Sequence, residues 1–201
     1  MLERRSALAT AIARGGRNSA DRRRQCRLGE VAAWSLAQVA AFPSTLDALE
    51  DQLEAIVGEL PLGSHRVVPG EPTIFRTGPE QFWIVGPEAG LAERLSRAIS
   101  AELGVVTPLT HSRTRIFIEG NRAVDVLRKG VPLDFHVQVF KPGQAALTGL
   151  HHTPILIHRL REDRFEVYAM RSFALSLWDW LTDAALEFGY EVEGTAGFSA
   201  M

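Results

Sequence analysis

The alternation of apolar and polar positions divides the chain into short elements of both periods. Val31 to Phe42 is largely apolar and ends at Pro43, which predicts a strand within residues 31–42. Ser44-Thr45-Leu46-Asp47 reads as a helix start, and Leu46, Leu49, Leu53 and Ile56 then share one helical face up to Gly58 and Pro61. Thr73–Arg76 and Gln81–Val85 predict two strands joined by the turn at 77–80. Leu91, Leu95, Ile99 and Leu103 recur every fourth residue and predict a helix over Glu88–Leu103, with Gly104 as its stop. A strand over Thr114–Glu119 leads through Gly120 into a short helix, Arg122–Lys129. Val137–Phe140, Ala145–Leu147, Thr153–Leu160 and Arg164–Met170 predict four more strands. Ser172 is placed to cap a last helix whose face is Phe173, Leu177, Trp180, Leu181, Ala184 and Phe188. The count is about four helices and seven or eight strands. Hairpin turns outnumber crossovers, so an α+β fold is expected, a single domain with mixed or antiparallel sheets.

Composition adds limits. A chain of 201 residues with 46% hydrophobic and 23% charged residues is ordinary for a globular protein, which excludes global disorder and a disulfide scaffold. The net charge of −2 conceals an asymmetry. Residues 1–27 hold eight Arg against Glu3 and Asp21, a net +6, while the remainder holds 14 basic and 22 acidic residues, a net −8. The expected division is a basic flexible arm at 1–27, a domain at 28–190 and a loose tail at 191–201. The arm is expected to add little to the core. Its Leu8 and Ile12, at i and i+4, suit docking on a partner, as do Arg4 and Arg5. Nucleic-acid binding is not expected, because the acidic body opposes it and no aromatic stacking motif is present. No run approaches the roughly 20 apolar residues of a membrane span. One cysteine, Cys26, permits no internal disulfide, and the cytoplasm is the expected compartment. Its neighbours Arg22, Arg23, Arg24 and Arg27 suggest a lowered thiol pKa, but with no base or resolving thiol in view a reactive role is not expected.

Signatures of chemistry are sparse. There is no dinucleotide fingerprint, P-loop, nucleophile elbow or paired-cysteine zinc motif. His151 and His152 in a strand would face opposite ways, and His152 and His158 would stand ~20 Å apart, so no shared metal ion is expected. Asp134 and His136 would share a face if extended, a carboxylate-oriented imidazole, yet no nucleophile accompanies them. Arg113 and Arg115 would share a strand face suited to an anion or an acidic partner. Trp178 and Trp180 lie ~200° apart on the last helix, so one enters the core while the other faces outward as an interface anchor. The site expectation is therefore a set of partner-contact candidates with no catalytic, cofactor or metal residues: Arg4, Arg5, Leu8, Ile12, Arg113, Arg115, Asp134, His136, Trp178 and Trp180.

The order of several segments resembles one family. These are Ser35–Phe42, Gly78–Val85, Glu119–Gly130, Pro132–His136 and Arg171–Leu181, with Ser6-Ala7-Leu8-Ala9 at the start. Together they resemble the gamma subunit of heterotetrameric sarcosine oxidase over most of residues 28–190. The middle section is more distantly similar to the folate-binding fold of aminomethyltransferases. The resemblance implies a non-catalytic subunit working with alpha, beta and delta subunits. The assembled enzyme would oxidatively demethylate sarcosine to glycine, with hydrogen peroxide and formaldehyde or a methylene-folate. FAD, FMN, NAD, tetrahydrofolate and zinc are then implied in the partner subunits. The alternative is a stand-alone folate-binding or aminomethyl-transfer protein, although no folate-contacting acidic residue matches a position here.

Overall fold

The computed structural model describes residues 6–12, 25–62 and 67–193. In chain order the elements are α1 (Ala9–Ile12), β1 (Cys26–Glu30), β2 (Ser35–Ala41), α2 (Leu46–Val57), β3 (Val67–Val68), β4 (Thr73–Gly78) and β5 (Gln81–Gly86). There follow α3 (Leu91–Ala98), β6 (Gly104–Pro108), β7 (Arg113–Glu119), α4 (Ala123–Arg128), β8 (Gln144–Leu150), β9 (Thr153–Arg161) and β10 (Arg164–Met170). A 3-10 turn over Arg171–Phe173, α5 (Ala174–Ala185) and β11 (Tyr190–Val192) complete the described elements. The α+β expectation is met, with one mixed and one antiparallel sheet. The elements fall into two compact units. One draws on residues up to Ala32 and from His111 onward, and the other on Ala33–Thr110.

The first unit is a six-stranded sheet in the order β11-β1-β7-β10-β9-β8, antiparallel except where β11 runs parallel to β1. The central strands β7 and β10 are buried along most of their length, and successive residues on both faces are closed, Thr114, Arg115 and Glu166 among them. On one face Leu28, Ile116, Ile118, Ile155, Ile157, Phe165 and Val167 meet Val126 and Leu127 of α4 and Leu177, Trp178 and Leu181 of α5 in a single core. The second unit is a five-stranded antiparallel sheet in the order β3-β4-β5-β2-β6. Its core joins Val39, Ile74, Phe82 and Ile84 to the apolar rows of α2 and α3: Leu49, Leu53, Leu91 and Leu95. No described helix is long and apolar enough to cross a membrane.

Several expectations need correction. The helix predicted over Glu88–Leu103 stops at Ala98, where Ile99 turns extended and the Gln52 side chain takes the Ser100 amide at 3.0 Å. Ile99 still enters the core, now from a turn. Gly104 ends no helix but begins β6, where a Cβ would stand 2.3 Å from the Ala40 carbonyl oxygen and 2.7 Å from Leu49 Cδ1. The strand predicted over Val137–Phe140 is a turn. The amides of Val139 and Phe140 both bond the His136 carbonyl, and the Arg159 guanidinium gathers the carbonyls of Phe135 at 3.0 Å and Phe140 at 2.6 Å. Ser172 lies inside the 3-10 turn and caps nothing; α5 starts after Phe173 with no side-chain cap bond. Tyr190–Val192, assigned to the domain's end and a loose tail, forms β11.

The amino-terminal arm holds the largest correction. Arg4, Arg5 and residues 13–24 lie outside the described residues. Leu8, expected to add little to the core, is fully buried within it, and Cys26 is 1% exposed in β1. Ser6 ties the segment down, its hydroxyl donating to Glu30 and accepting the Leu8 amide at 2.9 Å. Truncating Leu8 removes an apolar side chain from a closed core, so Leu8→Ala is expected to destabilise the isolated chain by about 2–4 kcal/mol in a urea titration. A change below about 0.5 kcal/mol would return the segment to a passive arm.

Candidate functional site

The chemistry-bearing side chains of the first unit gather in two places. One is the sheet face opposite its helices. Cross-strand register puts Tyr168 opposite Arg115 and Glu166 opposite His158, so the four form two adjacent cross-strand pairs over β7, β10 and β9. The Arg115 guanidinium donates to Glu166 Oε2 from Nε at 2.8 Å and from an Nη at 2.6 Å. The Tyr168 hydroxyl donates to the same oxygen at 3.2 Å. The ion pair's side chains are only 4% and 3% exposed, so it acts at low dielectric. Burial, with the Arg115 charge beside it, pushes the His158 imidazole down to about 3, leaving it neutral. Burial also pushes the Tyr168 hydroxyl well up. Toward solvent the same face ends on Glu119, which accepts from Arg27 at 2.7 Å, Arg161 at 2.6 Å and Arg164 at 2.8 Å. Partial burial alone would raise the Glu119 carboxyl, but the bond from Arg27 and the charges of Arg164 and Arg161 hold it below the usual range.

The second place is a surface cavity of about 300 Å³ lined by the β8–β9 turn and α5: Leu150, His151, His152, Thr153, Phe173, Ser176, Leu177 and Trp180. The two imidazoles meet edge to face at 5.0 Å, and His151 lies 6.3 Å from the Trp180 ring. Trp180 in turn packs on Gly130, where a Cβ would fall 2.4 Å from the indole. The sequence places His151 and His152 on a strand. They form its two-residue turn instead, His151 having a φ of 55°. No group of three or more His, Cys, Asp or Glu among the described residues could hold a metal ion.

The predicted contact residues are thus divided. Trp178 is buried and Trp180 half-buried, so one tryptophan serves the core and the other reaches the surface. Arg115 shares a strand face with Arg113, but it meets no outside anion or partner because it faces Glu166 inside. Arg113 stays near the surface, its guanidinium on the Ser112 carbonyl at 3.3 Å and hydroxyl at 3.1 Å. Leu8 is core and Ile12 packs against it. Asp134 and His136 are exposed but form no carboxylate–imidazole pair. Asp134 Oδ1 instead accepts the His136 amide at 2.8 Å, closing a local turn. Sequence reading missed Glu166 and Tyr168. Their signal was an acid and a phenol at alternate positions of an otherwise apolar strand, sharing a face with Arg115.

Cys26 also departs from expectation. Burial pushes its thiol up to about 11 rather than down. At pH 8 that leaves about a thousandth as thiolate. Alkylation of the native chain by iodoacetamide at pH 8 is expected to run at least ~100-fold slower than in denaturant. Equal rates would contradict the buried placement.

The comparisons with known proteins agree among themselves. The family model for the sarcosine oxidase gamma subunit family matches residues 21–187. The sarcosine oxidase subunit gamma of Corynebacterium sp. (strain P-1) is 36% identical over 115 residues, 57% of either chain. That of Arthrobacter sp. is 36% identical over 112 residues, 55% of either chain. The match thus spans little more than half the length of these curated relatives. Among solved structures, a chain of the heterotetrameric sarcosine oxidase from Corynebacterium sp. U-96, in complex with pyrrole 2-carboxylate, superposes with a TM-score of 0.82 at 29% identity. That superposition covers 92% of this chain and 96% of that one. The glycine cleavage system aminomethyltransferase T of Bartonella henselae shares the fold, with a TM-score of 0.58 at 19% identity over 86% of this chain and 48% of that one.

Proposed function

The chain belongs to the sarcosine oxidase gamma subunit family, and from that premise we propose that it is a non-catalytic subunit of a heterotetrameric, flavin-dependent sarcosine oxidase in the cytoplasm. Larger subunits would oxidatively demethylate sarcosine to glycine, with alpha, beta and delta chains as partners. FAD, FMN, NAD, tetrahydrofolate and zinc would reside in those partners. The observation that supports the reading is the superposition on a chain of a heterotetrameric sarcosine oxidase over nearly the whole length of both chains. The internal chemistry is consistent with it. Arg115 and Tyr168 both bond Glu166 in the interior, and His158 is neutral and buried. Docking would use the contact candidates that stay at the surface, Arg113, Asp134, His136 and Trp180, together with a basic arm carrying Arg4 and Arg5.

The test is omission. Co-expression of all four subunits should give a complex that forms hydrogen peroxide from sarcosine, and leaving this chain out should cost most of the assembled complex or of its activity. Full assembly and turnover without it would end the reading. The stand-alone folate alternative rests on shared fold alone, and titration of the isolated chain with tetrahydrofolate is expected to show no saturable binding.

A further inference from the structure

Among the described strands β8 ends its sheet, and the features that close other edges are missing from it. It reads Gln-Ala-Ala-Leu-Thr-Gly-Leu over seven residues, with no charge and no proline. Among the described strands, the opposite edge of the same sheet, β11, has three residues including Glu191. In the other sheet, edge β3 has two residues and edge β6 ends at Pro108. Short, charged or proline-bearing edges resist pairing with other chains, whereas a long uncharged one invites it.

The register shows which groups are on offer. Gly149 stands opposite Pro154, which has no N–H to give, so that pair is not hydrogen-bonded. Counting back by twos, the amides and carbonyls of Ala145, Leu147 and Gly149 point away from β9; Ala145 is buried, so the open part of the edge is Leu147 and Gly149. Leu147 is 41% exposed, and the loop entering the strand bares Val137 at 40% and Val139 at 59%. The strand's far end is the histidine turn that lines the 300 Å³ cavity with Phe173 and Trp180. Backbone groups that pair with no described strand, with a side-chain cavity at the strand's end, are the arrangement that receives an extended segment.

We infer that β8 is completed by a strand from a partner subunit, a segment with alternating apolar side chains and a carboxylate that meets Lys141. The charge of the edge selects this occupant. From Lys141 to Thr153 there is no carboxylate, and Thr153–Arg159, the part of β9 paired with β8, adds none. A second copy paired through β8 would therefore bring no counter-charge to Lys141.

This inference rests on the subunit reading above, and hydrogen exchange separates the two. The probe is the full chain, alone and in the co-expressed complex. The amides of Leu147 and Gly149 should exchange freely in the isolated chain and at least 100-fold more slowly in the complex. L147P removes one outward donor while sparing the bonds to β9, and should lower co-purified partner at least tenfold. L147K keeps the donor but charges the edge, and should lower it at least threefold. Both variants should stay cooperatively folded when isolated; if L147P does not fold, L147K and the exchange pattern decide. Failure of the wild-type chain to co-purify overturns the subunit reading and this inference together. Co-purification without protection at these two amides, or with both folded variants at wild-type yield, overturns this inference alone. Protection that instead appears on self-association of the isolated chain assigns the edge to a second copy and also overturns it.

Discussion

Replacing Glu166 by alanine is expected to destabilise the isolated chain by about 3–5 kcal/mol, read as a fall of roughly 10 °C or more in Tm. The size follows from what remains behind. The Arg115 guanidinium gives two bonds to one Glu166 oxygen, and both side chains are nearly closed to water. Without the carboxylate, a full positive charge stays in the interior beside the Tyr168 ring, 5.3 Å from its centroid. Such an orphaned charge costs more than the intact pair contributes, because desolvation offsets much of the pair's attraction. The double variant Arg115→Met, Glu166→Leu should therefore recover most of the loss. Glu166→Gln keeps the shape and an acceptor, and should fall between. A loss below about 1 kcal/mol for Glu166→Ala, measured by urea unfolding, would mean that water reaches the pair.

The second large effect is a dependence on pH set by His158. Its folded pKa is depressed to about 3 from 6.5, by burial first and by the Arg115 charge second. Between those values the unfolded chain holds a proton that the native chain refuses. Stability is therefore full above pH 6.5 and is lost as pH falls, by about 1.4 kcal/mol per unit from this group alone. Carboxylates that protonate on acidification add their own slope, so the comparison that isolates His158 is the wild type against His158→Leu. From pH 7 to pH 5 the variant should lose about 2 kcal/mol less than the wild type. Equal losses would place the imidazole within reach of solvent.

Local signals in the sequence were enough for the elements that close on their neighbours. The 153–161 and 164–170 hairpin, the helix after Gly120 and the helix over 174–185 each carry their period and their breaker within a dozen residues. Trp178 and Trp180 were separable by helical angle alone. The elements that escaped are those whose partners are distant. β1 and β11 are short, lie at opposite ends of the chain and pair in parallel, so neither shows an alternation that stands out. Leu8 sits in an arginine-rich stretch, and what surrounds it, including Glu30 bonded by Ser6 and the core of α4, α5 and the sheet, lies far along the chain. Composition pointed away from it. Arg115 shows a related limit. Period two gave its face correctly, but that this face is buried depends on Glu166 and Tyr168, about fifty residues later. The misplaced turn at 137–140 has the same origin, since Arg159 holds its carbonyls from another strand.

The +6 start and the −8 remainder also take on another sense. Arg27 belongs to a structured salt-bridge group on Glu119, and Leu8 belongs to the core. Part of the basic segment is thus built into the first unit.

The most direct test of the subunit role is native mass spectrometry of a sarcosine oxidase complex purified through a tag on another subunit after co-expression with this chain. A single species containing one copy of this 22.1 kDa chain with its three partners is the predicted result. A complex of the other subunits that oxidises sarcosine at full rate, with this chain left behind as a free monomer, would contradict it.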